Sequence, residues 1–171
     1  MSEGSRHPDD PLPPELGHFF AGLCAGEACF AICWASGSRQ RFRCDFVIRM
    51  REDEEPMLRE LQRRIGVGTL RRHRARGRSH PIVQWRAGSA ADCRRLVEIF
   101  DRFPLRSRKQ RDYEIWREAV LELSRPERDP QRLARLKEEL HAGGPPAPYV
   151  SSAVRSIRRL AGVLCRETLL Q

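Results

Sequence analysis

Apolar and polar residues alternate along the chain with periods that change from one segment to the next. From about Pro13 to Gly26, apolar residues recur at helical spacing with small residues between them, which predicts a helix. Beyond Cys29 the period becomes two, and a Gly37-Ser38 turn divides the alternating segment. This pattern predicts a β-hairpin directly after the first helix.

The second strand of this hairpin separates apolar from polar side chains most clearly. Alternation of this kind buries one face of a strand and exposes the other. Val47 is the apolar exception among the outward positions. The inward positions are Phe42, Cys44, Phe46 and Ile48, and the outward polar positions are Arg41, Arg43, Asp45 and Arg49.

The helix and hairpin recur once, and further helices follow. A helix over residues 55–65 ends at a Gly66-Val67-Gly68 turn, and a second hairpin runs from there to Arg86. This order predicts an α+β fold, αββαββα, with one antiparallel four-stranded sheet that has helices on one face. The remaining predicted features are a helix capped by Ser89 and stopped by Pro104, helices at 110–123, 130–141 and 152–170, and a linker at 143–148.

These elements divide the 171 residues into three parts. Residues 1–11 are polar and are predicted to be disordered. Residues 12–124 hold the αββαββα domain, and residues 125–171 form a C-terminal helical extension. The first residues lack a signal-peptide pattern, and no apolar run approaches the roughly 18 residues of a membrane span, so we expect a soluble, cytoplasmic protein without a membrane partner.

Positive charge is concentrated in the middle of the chain. The net charge is +9, from 32 Lys and Arg against 23 Asp and Glu, and residues 37–112 hold 21 of these basic residues but only 10 of the acidic ones. This placement is the electrostatic signature of a nucleic-acid-binding surface, and it favours a nucleoid-associated protein. Lys109 and Lys137 are the only lysines, and this preference for arginine is typical of GC-rich prokaryotic genomes.

The six cysteines are predicted to be free thiols, because the sequence lacks a secretory signal. The spacing of Cys24, Cys29 and Cys33 does not match a zinc site, which pairs ligands two to four residues apart and adds a second such pair downstream. We therefore expect no structural zinc.

Glu27 is a carboxylate at the junction between the predicted first helix and the alternating segment that follows it. The surrounding sequence F-A-G-L-C-A-G-E-A at 20–28 resembles the signature of the LAGLIDADG homing endonucleases. Three further segments stand in the order of that family, and the resemblance covers about residues 12–124. These segments are R-I-G-V-G-T-L at 64–70, D-C-R-R-L-V at 92–97 and F-P-L-R-S-R-K at 103–109.

The resemblance implies a site-specific endonuclease that cuts double-stranded DNA with Mg²⁺ or Mn²⁺ and serves intron or intein mobility. In the family, two signature helices pack together about a twofold axis, and the acid that ends each helix binds the metal at the scissile phosphates. By position that acid is Glu27. A single usable motif implies a homodimer on a near-palindromic site, without a small-molecule cofactor. The residues expected at the helix contact are Gly17, Ala21, Gly22 and Ala25.

The resemblance also assigns roles to the basic residues. The family has a catalytic lysine near the end of the loop at 103–109, a place that Arg108 is expected to occupy with Lys109 adjacent. The outward sheet residues are expected to lie in the major groove, where arginine can read guanine and glutamine can read adenine. These DNA-binding candidates are Arg41, Arg43, Arg49, Arg71, His73, Gln84 and Arg86.

Two residues depart from the signature, since Ala25 replaces an acid and Ala28 replaces glycine. A second hypothesis is therefore a DNA-binding protein or regulator that does not cleave, and a third is an RNA maturase on the same fold. Near the C-terminus, L-A-G-V-L-C-R-E-T at 160–168 superficially repeats the signature, but three residues follow it. We interpret it as a chance likeness in an amphipathic helix rather than a second half.

Overall fold

The computed structural model describes residues 12–35, 41–75 and 80–142. The predicted N-terminal segment, the linker at 143–148, the helix at 152–170 and the motif-like stretch at 160–168 lie outside these ranges. The helices are α1 (Pro14–Glu27), α2 (Glu55–Ile65), α3 (Ala90–Arg102), α4 (Lys109–Leu123) and α5 (Pro130–Ala142), and the strands are β1 (Ala28–Trp34), β2 (Phe42–Arg51), β3 (Thr69–His73) and β4 (Ile82–Ala87).

The four strands form one antiparallel sheet in the order β1-β2-β4-β3. This confirms the predicted αββαββα order and the α+β class. A short 3-10 turn at Glu52–Glu54, which the sequence did not predict, joins β2 to α2. Among the described residues no helix is long and apolar enough to cross a lipid bilayer.

The hydrophobic core lies between the helices and one face of the sheet. Phe20 from α1, Phe46 from β2 and Trp85 from β4 are fully buried, as are Phe100 and Trp116 from the later helices. The rings of Phe20 and Phe100 stack with centroids 5.4 Å apart. Aromatic side chains bury large apolar areas, so this cluster fixes α1 across the sheet and sets the direction in which its C-terminal end points.

Local sequence signals account for where α2 and α3 begin and end. Ser89 caps α3, because its hydroxyl accepts a hydrogen bond of 3.0 Å from the backbone amide of Asp92. At the end of α2, Gly66 has a φ of 79°, the left-handed conformation that glycine adopts without strain. Gly68 also has a positive φ, and a Cβ there would lie 2.4 Å from the carbonyl oxygen of Arg86.

Helix α5 follows the predicted domain boundary but packs on the same core. Its Leu133 and Leu136 are buried in the cluster that contains the side chains of α1, α3 and the sheet. The helix contacts α4 and β1. Because β1 is an edge strand, α5 reinforces the sheet at that edge.

Candidate nucleic-acid interface

The face of the sheet opposite the core carries side chains in rows set by the strand register. Directly paired residues of an antiparallel sheet point to the same side, so each row runs across several strands. The rows are Cys29, Val47, Arg86 and Thr69; then Arg49, Gln84 and Arg71; then Arg51, Ile82 and His73.

The predicted DNA-binding residues are brought together on this face. Arg43, Arg49, Arg71, His73, Gln84 and Arg86 all occupy its positions. Arg41 immediately precedes β2 and is exposed. The register adds Arg51, which lies beyond the alternating segment that predicted the other residues of β2.

Two of the candidate DNA readers are hydrogen-bonded to each other. The Arg49 Nε donates to the Gln84 Oε1 over 3.1 Å, between adjacent strands β2 and β4. Arg71 lies opposite Gln84 on the other side, on β3. These three side chains therefore form a single polar strip across the sheet.

A buried acid also lies on this face. Asp45 is only 5% exposed, and its carboxylate accepts hydrogen bonds from Arg86. Arg43 approaches the same carboxylate, with 3.3 Å between its Nε and the Asp45 Oδ2. The sequence placed Asp45 on the outward side but gave no sign of its burial or of these partners.

The outward side of β1 differs from the rest because it is apolar. Cys29, Ala31 and Cys33 lie opposite Val47, Asp45 and Arg43 of β2. Burial, followed by the nearby Asp45 carboxylate, raises the pKa of the Cys33 thiol. Positive charge on this face is therefore concentrated on the other three strands.

The candidate metal-binding acid ends the first helix. Glu27 is the last residue of α1, is exposed, and directly precedes the strand that forms the edge of the candidate interface. Ala28 follows with φ −73° and ψ 147°, an extended conformation that alanine adopts without strain. The alanine that replaces the family's glycine is therefore compatible with the path of the chain at this point.

The basic loop before α4 is docked against the end of α1. The Ser107 hydroxyl donates to the carbonyl of Ala25 over 3.1 Å, and the Lys109 ammonium donates to the carbonyl of Ala28 over 2.6 Å. The last carbonyls of a helix lack partners within the helix, and cations are favourable there. Of the two candidates, Lys109 contacts the residue beside Glu27, whereas Arg108 is exposed at the N-cap of α4.

The predicted helix-contact residues of α1 divide into two groups. Gly17 and Ala21 are buried within the protomer, and a Cβ at Gly17 would lie 2.3 Å from the ring of Phe103. The same chain covers both residues, so they have little surface left for contact with a second protomer. A Cβ at Gly22 would meet nothing within 4 Å, and Ala25 is partly exposed.

Gly22 belongs to an open side of α1 that includes two residues the prediction omitted. Gly26 also has open space around it, and Phe19 is 53% exposed. These residues follow helical spacing, so Phe19, Gly22 and Gly26 lie on one side of the helix. We call this set the open side of α1.

Glu27, the acid at the end of α1, could bind a divalent cation only together with other ligands. Within the described ranges, no group of three or more His, Cys, Asp and Glu side chains could hold a metal. A carboxylate is the type of hard oxygen ligand that Mg²⁺ prefers. The exposed Glu27 can supply one such ligand.

The described cysteines are free thiols. Cys24, Cys44 and Cys93 are buried and Cys29 is exposed, with none of them in a disulfide. Burial raises the pKa of the Cys93 thiol to about 12. The sixth cysteine, Cys165, lies outside the described residues.

Comparison with known sequences supports the resemblance read from the motifs. A family model described as LAGLIDADG endonuclease matches residues 20–120. A search of curated proteins gave no match.

Solved structures share the fold. I-AabMI, a LAGLIDADG meganuclease bound to uncleaved DNA, is 23% identical with a TM-score of 0.60, and the match covers 71% of this chain and 43% of that one. The archaeal intron-encoded homing endonuclease I-Vdi141I, complexed with DNA, is 15% identical with a TM-score of 0.61, covering 79% and 87%. I-SmaMI, bound to an uncleaved DNA target with calcium ions, is 16% identical with a TM-score of 0.59, covering 76% and 46%. The present chain thus spans less than half of I-AabMI and I-SmaMI and most of I-Vdi141I.

Proposed function

The chain belongs to the LAGLIDADG endonuclease family, and from this premise we propose that it is a site-specific endonuclease that cuts double-stranded DNA as a homodimer. The observation that carries the proposal is the position of Glu27. This exposed carboxylate is the last residue of α1, the helix with the open side. It also directly precedes β1, the first strand of the sheet whose outer face is basic. An acid in that position can reach a phosphate of DNA that lies along the sheet.

The sheet face would bind the major groove. Arg49, Gln84 and Arg71 form a strip that can present hydrogen-bond donors and acceptors to base edges. The exposed arginines around it would neutralise phosphates and make binding sensitive to salt. I-AabMI, I-Vdi141I and I-SmaMI were each solved with DNA bound, which supports this assignment.

The open side of α1 would form the dimer contact. Glycine at positions 22 and 26 lets a second helix backbone approach closely, and each glycine otherwise costs a helix about 1 kcal/mol relative to alanine. Twofold packing of α1 would bring together the Glu27 residues of two protomers. A twofold dimer also implies a near-palindromic target.

The two Glu27 carboxylates would then hold a divalent cation, Mg²⁺ or Mn²⁺. When bound, such a cation offsets charge on the scissile phosphate and lowers the pKa of water. The chain's own residues position the reaction. Ser107 and Lys109 fix the loop against the end of α1. Lys109 would thereby keep a positive charge near the phosphate that Glu27 would approach.

Selection of cleaved sites from a random DNA library would test this proposal, with wild type and Glu27→Gln in parallel. The proposal predicts that the wild type enriches a near-palindromic site with Mg²⁺ and that the variant enriches nothing by cleavage, yet binds the same site. Binding without cleavage by the wild type, in Mg²⁺ and in Mn²⁺, would favour the non-cleaving regulator. Stronger binding to structured intron RNA would favour the maturase.

A further inference from the structure

Asp45 stands out on the basic face because it is a carboxylate buried among arginines. Its side chain is 7% exposed, whereas those of its partners Arg86 and Arg43 are 42% and 38% exposed. The Asp45 carboxylate also lies against Gly88 of the neighbouring strand end, since a Cβ there would lie 2.6 Å from the Asp45 Oδ1. Asp45 therefore lies beneath the surface that DNA would contact.

We propose that Asp45 is a positioning residue that fixes Arg86 in one orientation and thereby sets a preference for guanine at one base pair of each half-site. This inference rests on the proposed function, because it concerns how the same sheet face reads DNA. It assigns to Asp45 a part in specificity without direct contact with a base.

The hydrogen bonds define which part of Arg86 remains available. The Asp45 Oδ1 accepts from the Arg86 Nε at 3.3 Å and from the Nη2 at 2.9 Å, and the Oδ2 accepts from the Nη2 at 3.0 Å. A guanidinium has five N–H donors in a rigid plane. Asp45 therefore occupies the Nε and Nη2 side of the guanidinium, and the two N–H groups of Nη1 form the outer edge.

The two N–H groups of Nη1 lie in the plane of the guanidinium and could donate to the edge of a guanine base. Bidentate contact of arginine with the O6 and N7 of guanine needs two adjacent N–H groups in one plane. Arg86 lies opposite Val47 and Thr69, in the row nearest to the Ala28 end of β1. The hydrogen bonds from Arg86 to Asp45 would hold the arginine side chain in one rotamer before DNA binds. The side chain would therefore lose less conformational entropy on binding.

Burial excludes a direct role for the acid. A carboxylate in the groove can accept a hydrogen bond from cytosine, but Asp45 is too deeply covered to reach a base. Its negative charge also opposes attraction of phosphates by this face. Removal of the carboxylate would thus free two arginines for phosphate contacts and weaken base selection at the same time.

The test measures binding of the full chain to a site selected by the wild type and to each single-base variant of that site. Asp45→Asn removes the charge but keeps a side chain of nearly the same shape. Arg86→Ala and the Asp45→Asn/Arg86→Ala double variant complete a double-mutant cycle. Glu118→Gln is the control, because Glu118 forms an exposed ion pair with Arg132 on the helices and its substitution also removes one negative charge. Thermal unfolding of each variant reports whether it is folded.

We expect Asp45→Asn to reduce discrimination for guanine at one position about tenfold, within the range of a bidentate contact. Binding to unrelated DNA should become tighter, and its salt dependence steeper. In the Arg86→Ala background, Asp45→Asn should leave discrimination at that position unchanged. A purely structural role would instead weaken binding to all sequences alike.

Three outcomes would count against the inference. If the wild type binds its site specifically and Asp45→Asn keeps the same base preference, this inference is overturned and the proposed function is not. An equal loss of preference in the Arg86→Ala background would show that Asp45 does not act through Arg86. A wild type that binds no DNA sequence selectively would overturn the proposed function, and this inference with it.

Discussion

The ammonium group of Lys109 donates a hydrogen bond to the backbone carbonyl of Ala28, the residue that follows Glu27. This contact joins the start of α4 to the end of α1, although 81 positions separate the two residues in sequence. It places a positive charge at the residue that follows the acid that we propose as the metal ligand. Arg108, which the family pattern favoured, is exposed instead.

Lys109 is accordingly expected to matter for the cleavage step. Lys109→Met should lower kcat by about 10²-fold with little change in KM, because a fixed charge near the reacting phosphate acts mainly in the transition state. The measurement is steady-state cleavage of a selected site. Arg108→Gln is the matched control, and it should weaken DNA binding slightly and leave kcat within about threefold. A larger loss of kcat in Arg108→Gln than in Lys109→Met would reverse the assignment.

The two sides of α1 should respond in opposite ways to added side chains. Gly22→Leu should give a folded monomer, since the side chain has open space in the protomer but would separate two packed helices. Gly17→Ala should destabilise the protomer itself, because its methyl group would collide with Phe103. Light scattering gives the oligomeric mass and circular dichroism the folded fraction. A dimeric Gly22→Leu variant would show that the open side of α1 is not the interface.

The thiol of Cys29 should report DNA on the sheet. Cys29 is exposed on the outward side of β1, whereas Cys24, Cys44 and Cys93 are buried. Iodoacetamide should therefore modify Cys29 in the native protein and the three buried thiols only after unfolding. Peptide mass spectrometry would follow each site. A selected DNA target should slow the reaction at Cys29, and equal rates with and without that target would place DNA elsewhere.

Glu55 should make stability depend on pH in the acid range. Hydrogen bonds from Arg72 and then from Arg59 lower the pKa of this carboxyl group, which anchors α2 to β3. A lowered pKa in the folded state stabilises the protein above the unfolded pKa of about 4.3 and ceases to do so as pH falls through the folded value.

Glu55→Gln should therefore be less stable than wild type at pH 7, and the difference should shrink as the pH falls below about 4.3. Urea unfolding at a series of pH values measures it. The exposed Glu54→Gln controls for the loss of one nearby charge. A difference that stays constant down to pH 2 would mean that the two arginines do not act through the ionised carboxylate.

The sequence predicted the structure best in segments where apolar residues recur with one regular spacing. The helix over 55–65 and the inward positions Phe46 and Ile48 were predicted correctly, because alternation and helical spacing report directly on burial. The Ser89 cap was likewise predicted from residue type alone. The motif at 20–28 then gave the family, and with it the place of Glu27.

Sequence reasoning failed where distant residues decide the outcome. In α1 nearly every side carries small or apolar residues, so spacing alone could not show that Gly17 faces Phe103 while Gly22 faces outward. The burial of Asp45 depends on Arg86, which lies 41 positions away on another strand. Whether Lys109 or Arg108 reaches the end of α1 depends in the same way on how the loop packs.

We propose that Glu27 of each protomer supports metal-dependent cleavage of both DNA strands. The most direct test of this proposal is the conversion of a plasmid carrying a selected target to linear DNA, by wild type and by Glu27→Gln, with Mg²⁺ and with EDTA. We expect linear product only from wild type with Mg²⁺, while Glu27→Gln still binds the target. Linear product from Glu27→Gln at the wild-type rate, or from wild type in EDTA, would contradict it.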